Sequence, residues 1–365
     1  MQAVSLDSAR PDAAPSGAGL CLVTGATGFV GAAVARALLG RGYTLRLMVR
    51  PSSPRANIDG LAAEIVTGDL TDPASLARAA AGCRYVLHVA ADYRIWVPDP
   101  AAMLRANVDG TTAMLRAAMA AGAERIVYCS SVAALGASGD GRPVTEDTPR
   151  AEADMVGTYK RSKFLAEQAA RAEAAQGAPV VIVNPAAPVG PRDIKPTPTG
   201  RMIRDAARGR IPAYVDTGLN IVHVDDVGLG HVLALERGRI GAGYVLGGEN
   251  LALARVLAMV ASIVGRRPPR IRLPVGPLMP IAALMEAIAR LSGAEPMLTR
   301  DHLKMARKEM FYASDRAVRE LGYAPRPARL ALVDAIAWFR DAGMLPGVTI
   351  RPEAMAEMPP RGAAR

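Results

Sequence analysis

Aromatic residues are scarce, 4% of 365. That leaves too few ring faces for a base-stacking surface, so no nucleic-acid partner is expected. Cysteine is rarer still. Cys21, Cys83 and Cys129 are widely spaced and form no CxxC pair. Three such residues are not a disulfide framework. Cys21 and Cys129 fall in apolar, strand-like runs and read as small buried residues of a protein in a reducing compartment. The histidines His88, His223, His231 and His302 are scattered, with no acidic cluster at ligand spacing, so no metal is expected. Long apolar runs are missing too. The longest, 275–285, is cut by two prolines and ends at Glu286, short of the about 20 residues that span a bilayer. Residues 1–18 are small and polar, with Asp7 and Asp12 and no apolar stretch. They read as a loose tail and not as a signal peptide.

Lysine is also sparse: five (160, 163, 195, 304, 308) against thirty-nine arginines. The net charge is +10. The arginines are dispersed without a block of five or six, which points to a solvated surface. An anionic partner, either a phosphate-bearing substrate or a membrane surface, is the alternative.

What is present is core. The chain is 50% hydrophobic and 21% charged, enough for two domains or one with an appended lobe. Strand-like runs at Leu20–Thr24, Thr44–Val49, 64–66, 85–89, Arg125–Cys129 and 180–183 alternate with helical patterns at 30–39, 100–121 and 159–175. Asp72–Pro73 opens a further helix as N-cap and first turn. This alternation predicts an α/β fold: a Rossmann-type, doubly wound parallel sheet with a smaller, mixed C-terminal substrate lobe. The expected division is a disordered tail at 1–18, a dinucleotide-binding domain at 19–184, and a lobe at 185–347 interleaved with the last sheet strands. A loose tail is expected at 348–365. Within the lobe the pattern predicts a strand at 220–223, a helix at 226–236, a strand at 244–246 and a helix at 251–264.

Thr24-Gly25-Ala26-Thr27-Gly28-Phe29-Val30-Gly31 lies between a strand and a helix. Gly25 suits the tight turn, Gly28 a close approach to a pyrophosphate, and Gly31 close helix–strand packing. The helix N-terminus then faces the phosphates. An NAD site would place an acid about 20 residues further on. Here Val49-Arg50-Pro51 ends the second strand, and Arg50 suits a 2′-phosphate. The cofactor expected is therefore NADP, with NAD as the alternative. Asp69, in Gly68-Asp69-Leu70, stands where an adenine amino group would be met, or serves turn chemistry.

Tyr159 and Lys163, at i and i+4, share a helix face. A tyrosine is a poor acid or base at neutral pH unless a neighbouring cation favours its phenolate. Ser130-Ser131 end a strand where such sheets bind ligands. The trio Ser131, Tyr159 and Lys163 suits hydride transfer at a carbonyl or carbinol carbon, with Tyr159 moving the proton and Ser131 orienting the oxygen.

These motifs occur in order with His88-Val89-Ala90-Ala91 and Asn107-Val108-Asp109-Gly110-Thr111. Together they resemble the extended short-chain dehydrogenase/reductases, a superfamily of nucleotide-sugar epimerases, dehydratases and dihydroflavonol reductases. Residues 88–96, 159–167, 184–199, 214–226 and 246–251 resemble the hopanoid-associated sugar epimerases within it. The likeness spans about 20–340. It implies a nicotinamide cofactor held by Gly25, Thr27, Gly28, Phe29, Val30, Gly31, Arg50, Asp69, Leu70, Val89, Ala90, Ala91, Tyr159, Lys163 and Pro185. It also implies Ser131, Tyr159 and Lys163 as the catalytic set, in a cytoplasmic enzyme near hopanoid lipid synthesis.

Two departures from the family pattern bear on the reaction. Ser131 is followed by Val132-Ala133-Ala134, without the acid that a dehydratase needs. Leu219 stands where nucleotide-sugar epimerases often carry an arginine for the nucleotide phosphates. Arg192 reads as an exposed loop residue. Asp225 or Asp226 reads as the cap of the following helix, with His223 in a structural role. His88 is expected to pack near the nicotinamide.

Three readings follow. The first is an NADP-dependent reductase or dehydrogenase for a weakly charged or lipid-linked substrate. The second is a sugar epimerase that retains NAD. The third is a non-catalytic NADP sensor, which would have no use for the Tyr/Lys pair. The apolar helical pattern Met279, Ile281, Leu284, Met285, Ile288 is expected to cover the substrate cleft or to touch the inner membrane peripherally. The helices at 100–121 and 157–175 are candidates to pair in a homodimer.

Overall fold

The computed structural model describes residues 19–94, 97, 99–136, 141–292, 299–306 and 308–356. The expected tail at 1–18, part of the 88–96 stretch and the last residues of the chain lie outside them. The strands, in chain order, are β1 (Leu20–Thr24), β2 (Thr44–Val49), β3 (Ala63–Thr67), β4 (Tyr85–His88), β5 (Arg125–Cys129) and β6 (Val180–Pro185). Then follow β7 (Ala187–Val189), β8 (Ala213–Val215), β9 (Gly218–His223), β10 (Gly243–Leu246), β11 (Glu249–Ala252) and β12 (Ile271–Leu273). Seven of these form one parallel sheet in the order β10-β6-β5-β4-β1-β2-β3. The order reverses between β1 and β4, where Thr24 is in register with His88. A crevice at the carboxyl ends of strands opens at such a reversal.

The helices are α1 (Phe29–Gly40), α2 (Pro73–Ala80), α3 (Pro100–Leu104), α4 (Gly110–Ala120), α5 (Gly157–Ala175), α6 (Pro198–Ala207) and α7 (Val224–Arg237). After them come α8 (Leu253–Ile263), α9 (Val275–Ser292), α10 (Arg300–Ala306), α11 (Ala328–Asp341) and α12 (Pro352–Ala356). The side-chain period of two along each strand divides the core into two layers. Cys21, Val23, Leu87 and Val127 face α1 and α7. Leu22, Val86 and Ile126 face α2, α4 and α5. With both faces covered, the strands are continuous apolar runs. A third core joins α6, α8 and α11 to β7 and β9 in the smaller lobe. There β9 pairs with β7 and, antiparallel, with β11, while β8 pairs with β12.

Several expected elements differ. The helix expected over 100–121 is α3 and α4 joined by a π turn at Arg105–Asp109. The wide turn carries Asn107 to a position 2% exposed, bonded to Asp92 and Ser162. The helix expected at 251–264 starts at Leu253, because Glu249–Ala252 pairs its backbone with β9. Sheet pairing overrides the local helical pattern there. α7 begins at Val224, and its cap is His223, whose Nδ1 accepts from the Asp225 N–H at 3.0 Å. Asp225 and Asp226, expected as caps, sit in the first turn, where acids complement the helix dipole. Beyond 348 the chain stays packed through α12: Ala354 is buried and the Arg351 N–H donates to Ile263 O.

Candidate active site

The glycine loop leaves β1 toward α1 through positions that exclude a side chain. Gly25 has φ +75°, and a Cβ there would lie 2.7 Å from the Ala90 nitrogen. A Cβ on Gly31 would lie 2.1 Å from Gly25 O. Gly28 is the N-cap of α1, with no side-chain cap. The N–H groups of Phe29, Val30 and Gly31 are the first of the helix and lack intrahelical acceptors. Close backbone and free donors in one cradle fit a dinucleotide pyrophosphate. Thr27 adjoins it, and its carbonyl accepts from Asn57 Nδ2 at 3.2 Å.

The opposite wall is Val89-Ala90-Ala91. Thr24 Oγ1 accepts from the Val89 and Ala90 N–H groups, 3.1 Å each, and lies 2.8 Å from His88 Nδ1. With both acceptances filled, the threonine proton goes to Nδ1. His88 therefore carries its proton on Nε2 and donates to Thr111 Oγ1 at 3.1 Å. Burial first, then the Lys163 charge, pushes His88 down to about 3. It is a neutral strut, and its side chain joins β1 to α4.

Arg50 is exposed just past β2, close enough for its charge to act on Asp69 and Asp92. Asp69 is engaged in its own turn: Oδ1 accepts from the Thr71 N–H at 2.9 Å and from Thr71 Oγ1 at 2.7 Å. These bonds hold its carboxyl below the usual range. Leu70 packs where Gly110 leaves room. Pro185 ends β6, opposite Leu246. The expected cofactor residues thus line the carboxyl edge of the sheet on β1, β2, β3, β4 and β6.

The expected catalytic trio converges on that edge. Ser131 caps a 3-10 turn at Val132–Ala134, its Oγ accepting from the Ala133 N–H at 3.1 Å. The Tyr159 phenol lies near enough for this hydroxyl to act on it. Burial pushes Tyr159 above its ordinary value, and the nearby Ser131 hydroxyl pulls it partly back. Lys163 is buried, and Nζ donates to Cys129 O at 2.9 Å with Tyr128 Oη at 3.5 Å. Burial lowers its affinity for the proton, and the charge of Glu167 partly restores it.

Residues without an expected role hold this trio. Glu167 is fully buried and accepts from Ser130 Oγ at 2.7 Å and Asn184 Nδ2 at 2.6 Å. It also takes Arg150 at 2.8 Å and Arg171 at 2.8 Å. Asn184 Nδ2 further donates to Ser131 O at 3.1 Å. The sequence signal was present: an acid four residues after Lys163, and a lone amide in the apolar β6. Arg192, expected exposed, has its side chain four-fifths covered: it pairs with Asp225, and its φ of +76° turns its carbonyl to Asn57. His223 donates from Nε2 to Asp334 at 3.0 Å while Nδ1 caps α7, so its work is structural.

Known proteins share the sequence pattern and the fold of this chain. The model of the NAD dependent epimerase/dehydratase family matches residues 21–247. A Synechocystis sp. protein named "Putative dihydroflavonol 4-reductase" is 44% identical over 88% of this chain and 94% of its own. The sterol demethylase protein B of Methylococcus capsulatus is 36% identical over 89% of this chain and 99% of its own. The crystal structure of gox2253 is 57% identical, with a TM-score of 0.81 over 89% of this chain and 99% of that one. The fold is Rossmann-type, and an NAD(P) cofactor is implied by the family. The protein is an enzyme and belongs to the NAD dependent epimerase/dehydratase family.

Proposed function

We propose that this enzyme is an NADP-dependent reductase or dehydrogenase acting at a carbonyl or carbinol carbon of a weakly charged, lipid-like substrate, with a hopanoid-linked one as the leading class. The observation that carries it is the placement of Ser131 just past the end of β5 near Tyr159 of α5, with Lys163 one helical turn away and tied to the same strand end. The substrate class rests on Leu219, an apolar side chain packed into the lobe core at the position of a phosphate-binding arginine. The sterol demethylase relative supports an apolar substrate, and the dihydroflavonol 4-reductase relative supports reduction.

The cofactor supplies the hydride, or accepts it in the reverse direction. The chain's own groups do the rest. Gly25, Gly28 and Gly31 admit the pyrophosphate, and Arg50 reads the 2′-phosphate. Ser131 Oγ holds the substrate oxygen against Tyr159. Tyr159 donates its phenolic proton to that oxygen in reduction and takes it back in oxidation. Lys163 keeps a positive charge beside the phenolate so formed.

Identification of the nucleotide released on denaturing the purified protein tests the assignment. An empty protein that binds NADPH much more tightly than NADH, with the preference lost in Arg50→Ala, is the expected result. Bound NAD that does not exchange would instead indicate the epimerase, whose cycle keeps its cofactor. Steady-state NADPH oxidation with long-chain ketones then tests the substrate class.

A further inference from the structure

Helix α9 is built inside out. Its buried positions, among those described, are Ala282, Glu286 and Ala289. Glu286 is 6% exposed, and its carboxylate takes the Arg300 N–H at 2.6 Å and Arg300 Nε at 2.9 Å. The large apolar residues point the other way: Ile281, Leu284 and Ile288 are 51%, 62% and 54% exposed. Their spacing of three and four places them on one stripe. Pro277 extends it by one turn, and Ile271 and Leu273 of β12, just ahead of the helix, are exposed as well. Solvent alone gives no reason to turn an acid inward and three large aliphatics outward.

Arginines outnumber acids in the chain that leads to the stripe; Arg272 of β12 pairs with Asp216. Arg266, Arg267 and Arg270 lead into β12, all exposed. The Arg266 guanidinium lies against Gly209, next to exposed Arg210, and Arg351 lies against Gly265. None of these five has a carboxylate partner among the described residues. An exposed apolar stripe preceded in the chain by arginines without carboxylate partners matches an acyl layer beneath anionic headgroups. Among the described residues no helix is long and apolar enough to cross a membrane. The stripe is thus suited to lying on a surface. It is also near the chemistry: α10 packs on α9, and Asp301 of α10 lies against Gly157, two residues before Tyr159.

We propose that the outward face of α9 seats the enzyme on an anionic lipid surface, placing the mouth of its site where a lipid-like substrate resides. The benefit to catalysis rests on the reading above; the docking does not, since it requires neither cofactor nor turnover.

The full-length protein is sedimented with vesicles of phosphatidylcholine alone and of phosphatidylcholine with phosphatidylglycerol. Binding to the anionic vesicles, weakened by salt and at least tenfold stronger than to the neutral ones, is expected. Leu284→Glu and Ile281→Glu, both at exposed positions, abolish it while the melting temperature and NADPH affinity stay unchanged. Arg267→Glu with Arg270→Glu weakens it on anionic vesicles. No binding to either vesicle overturns the proposal. A concentration-dependent dimer that Leu284→Glu dissolves, without vesicle binding, would assign the face to a second copy of the chain. Vesicle binding by a protein that fails to bind NADPH would leave the docking standing and sink the reductase reading.

Discussion

Lys163 donates from Nζ to the carbonyl of Cys129 over 2.9 Å, which ties the helix bearing Tyr159 to the strand that leads into Ser131. The ammonium is held by strand backbone, one helical turn along α5 from Tyr159, and its hold does not depend on the phenol. Tyr159→Phe removes the proton carrier and leaves this tie intact. Turnover should fall about a hundred- to ten-thousand-fold, while NADPH titration by fluorescence gives an unchanged affinity. Retained turnover would remove Tyr159 from the chemistry.

Glu167 organises the same junction from behind. Burial alone would raise its pKa, but Arg171, Ser130, Arg150 and Asn184 hold it below the ordinary carboxylate value. A depressed carboxylate stabilises the fold above its unfolded pKa near 4.5, and that contribution is lost as the pH falls through the folded value. Glu167→Ala strands two guanidinium groups and should cost about 3–5 kcal/mol at neutral pH. Urea unfolding at pH 7 measures it; a loss below about 1 kcal/mol would mean that water replaces the carboxylate.

The parts of this architecture that the sequence discloses are those set by local pattern. β1 and β5 are continuous apolar runs because helices cover both faces, and Tyr159 and Lys163 show their shared face by spacing alone. Glu167 and Asn184 stand out locally as an acid on the Lys163 face and an amide in an apolar strand, but they and Asn107 act through bonds to residues 17 to 55 positions away, so no window of sequence reveals their partners. His223 as a cap escaped because capping is ordinarily the work of Ser, Thr, Asp or Asn, and the adjacent aspartates offered the simpler choice. The lobe is harder to read since its strands are three to six residues long and defined by their partners.

Two glycines of α1 give an internal control. A Cβ on Gly31 would sit 2.1 Å from a backbone oxygen, whereas one on Gly40 would meet nothing within 4 Å. Gly31→Ala forces the loop off the helix, at about 1–3 kcal/mol by analogy with overpacked cores, and should abolish NADPH binding. Gly40→Ala should raise stability by about 0.4–1 kcal/mol through the unfolded chain. Thermal melts and nucleotide titration compare them; NADPH binding by Gly31→Ala at the native affinity would refute the cradle.

The buried histidines set how stability responds to acid. His88 is held down to about 3 by burial and then Lys163, and His231 to about 4 by burial, partly offset by its bond to Val227 O. Below 6.5 the unfolded chain takes up these protons and the folded one does not. Their contribution is therefore complete above 6.5 and is lost as the pH falls, at about 1.4 kcal/mol per pH unit for each histidine. Asp193 works against them. Burial raises its carboxyl to about 6 despite the bonds from Thr197, so the folded state gains on acidification from about 6 down to its unfolded value. The pair outweighs the single carboxyl, and the net stability should fall by about 2–3 kcal/mol between pH 7 and 5. His231→Gln should remove about half of the histidine share, because His88 remains. Urea midpoints of the two proteins across that range test it. Parallel pH profiles would show that His231 titrates alike in both states and is not the buried, neutral group described.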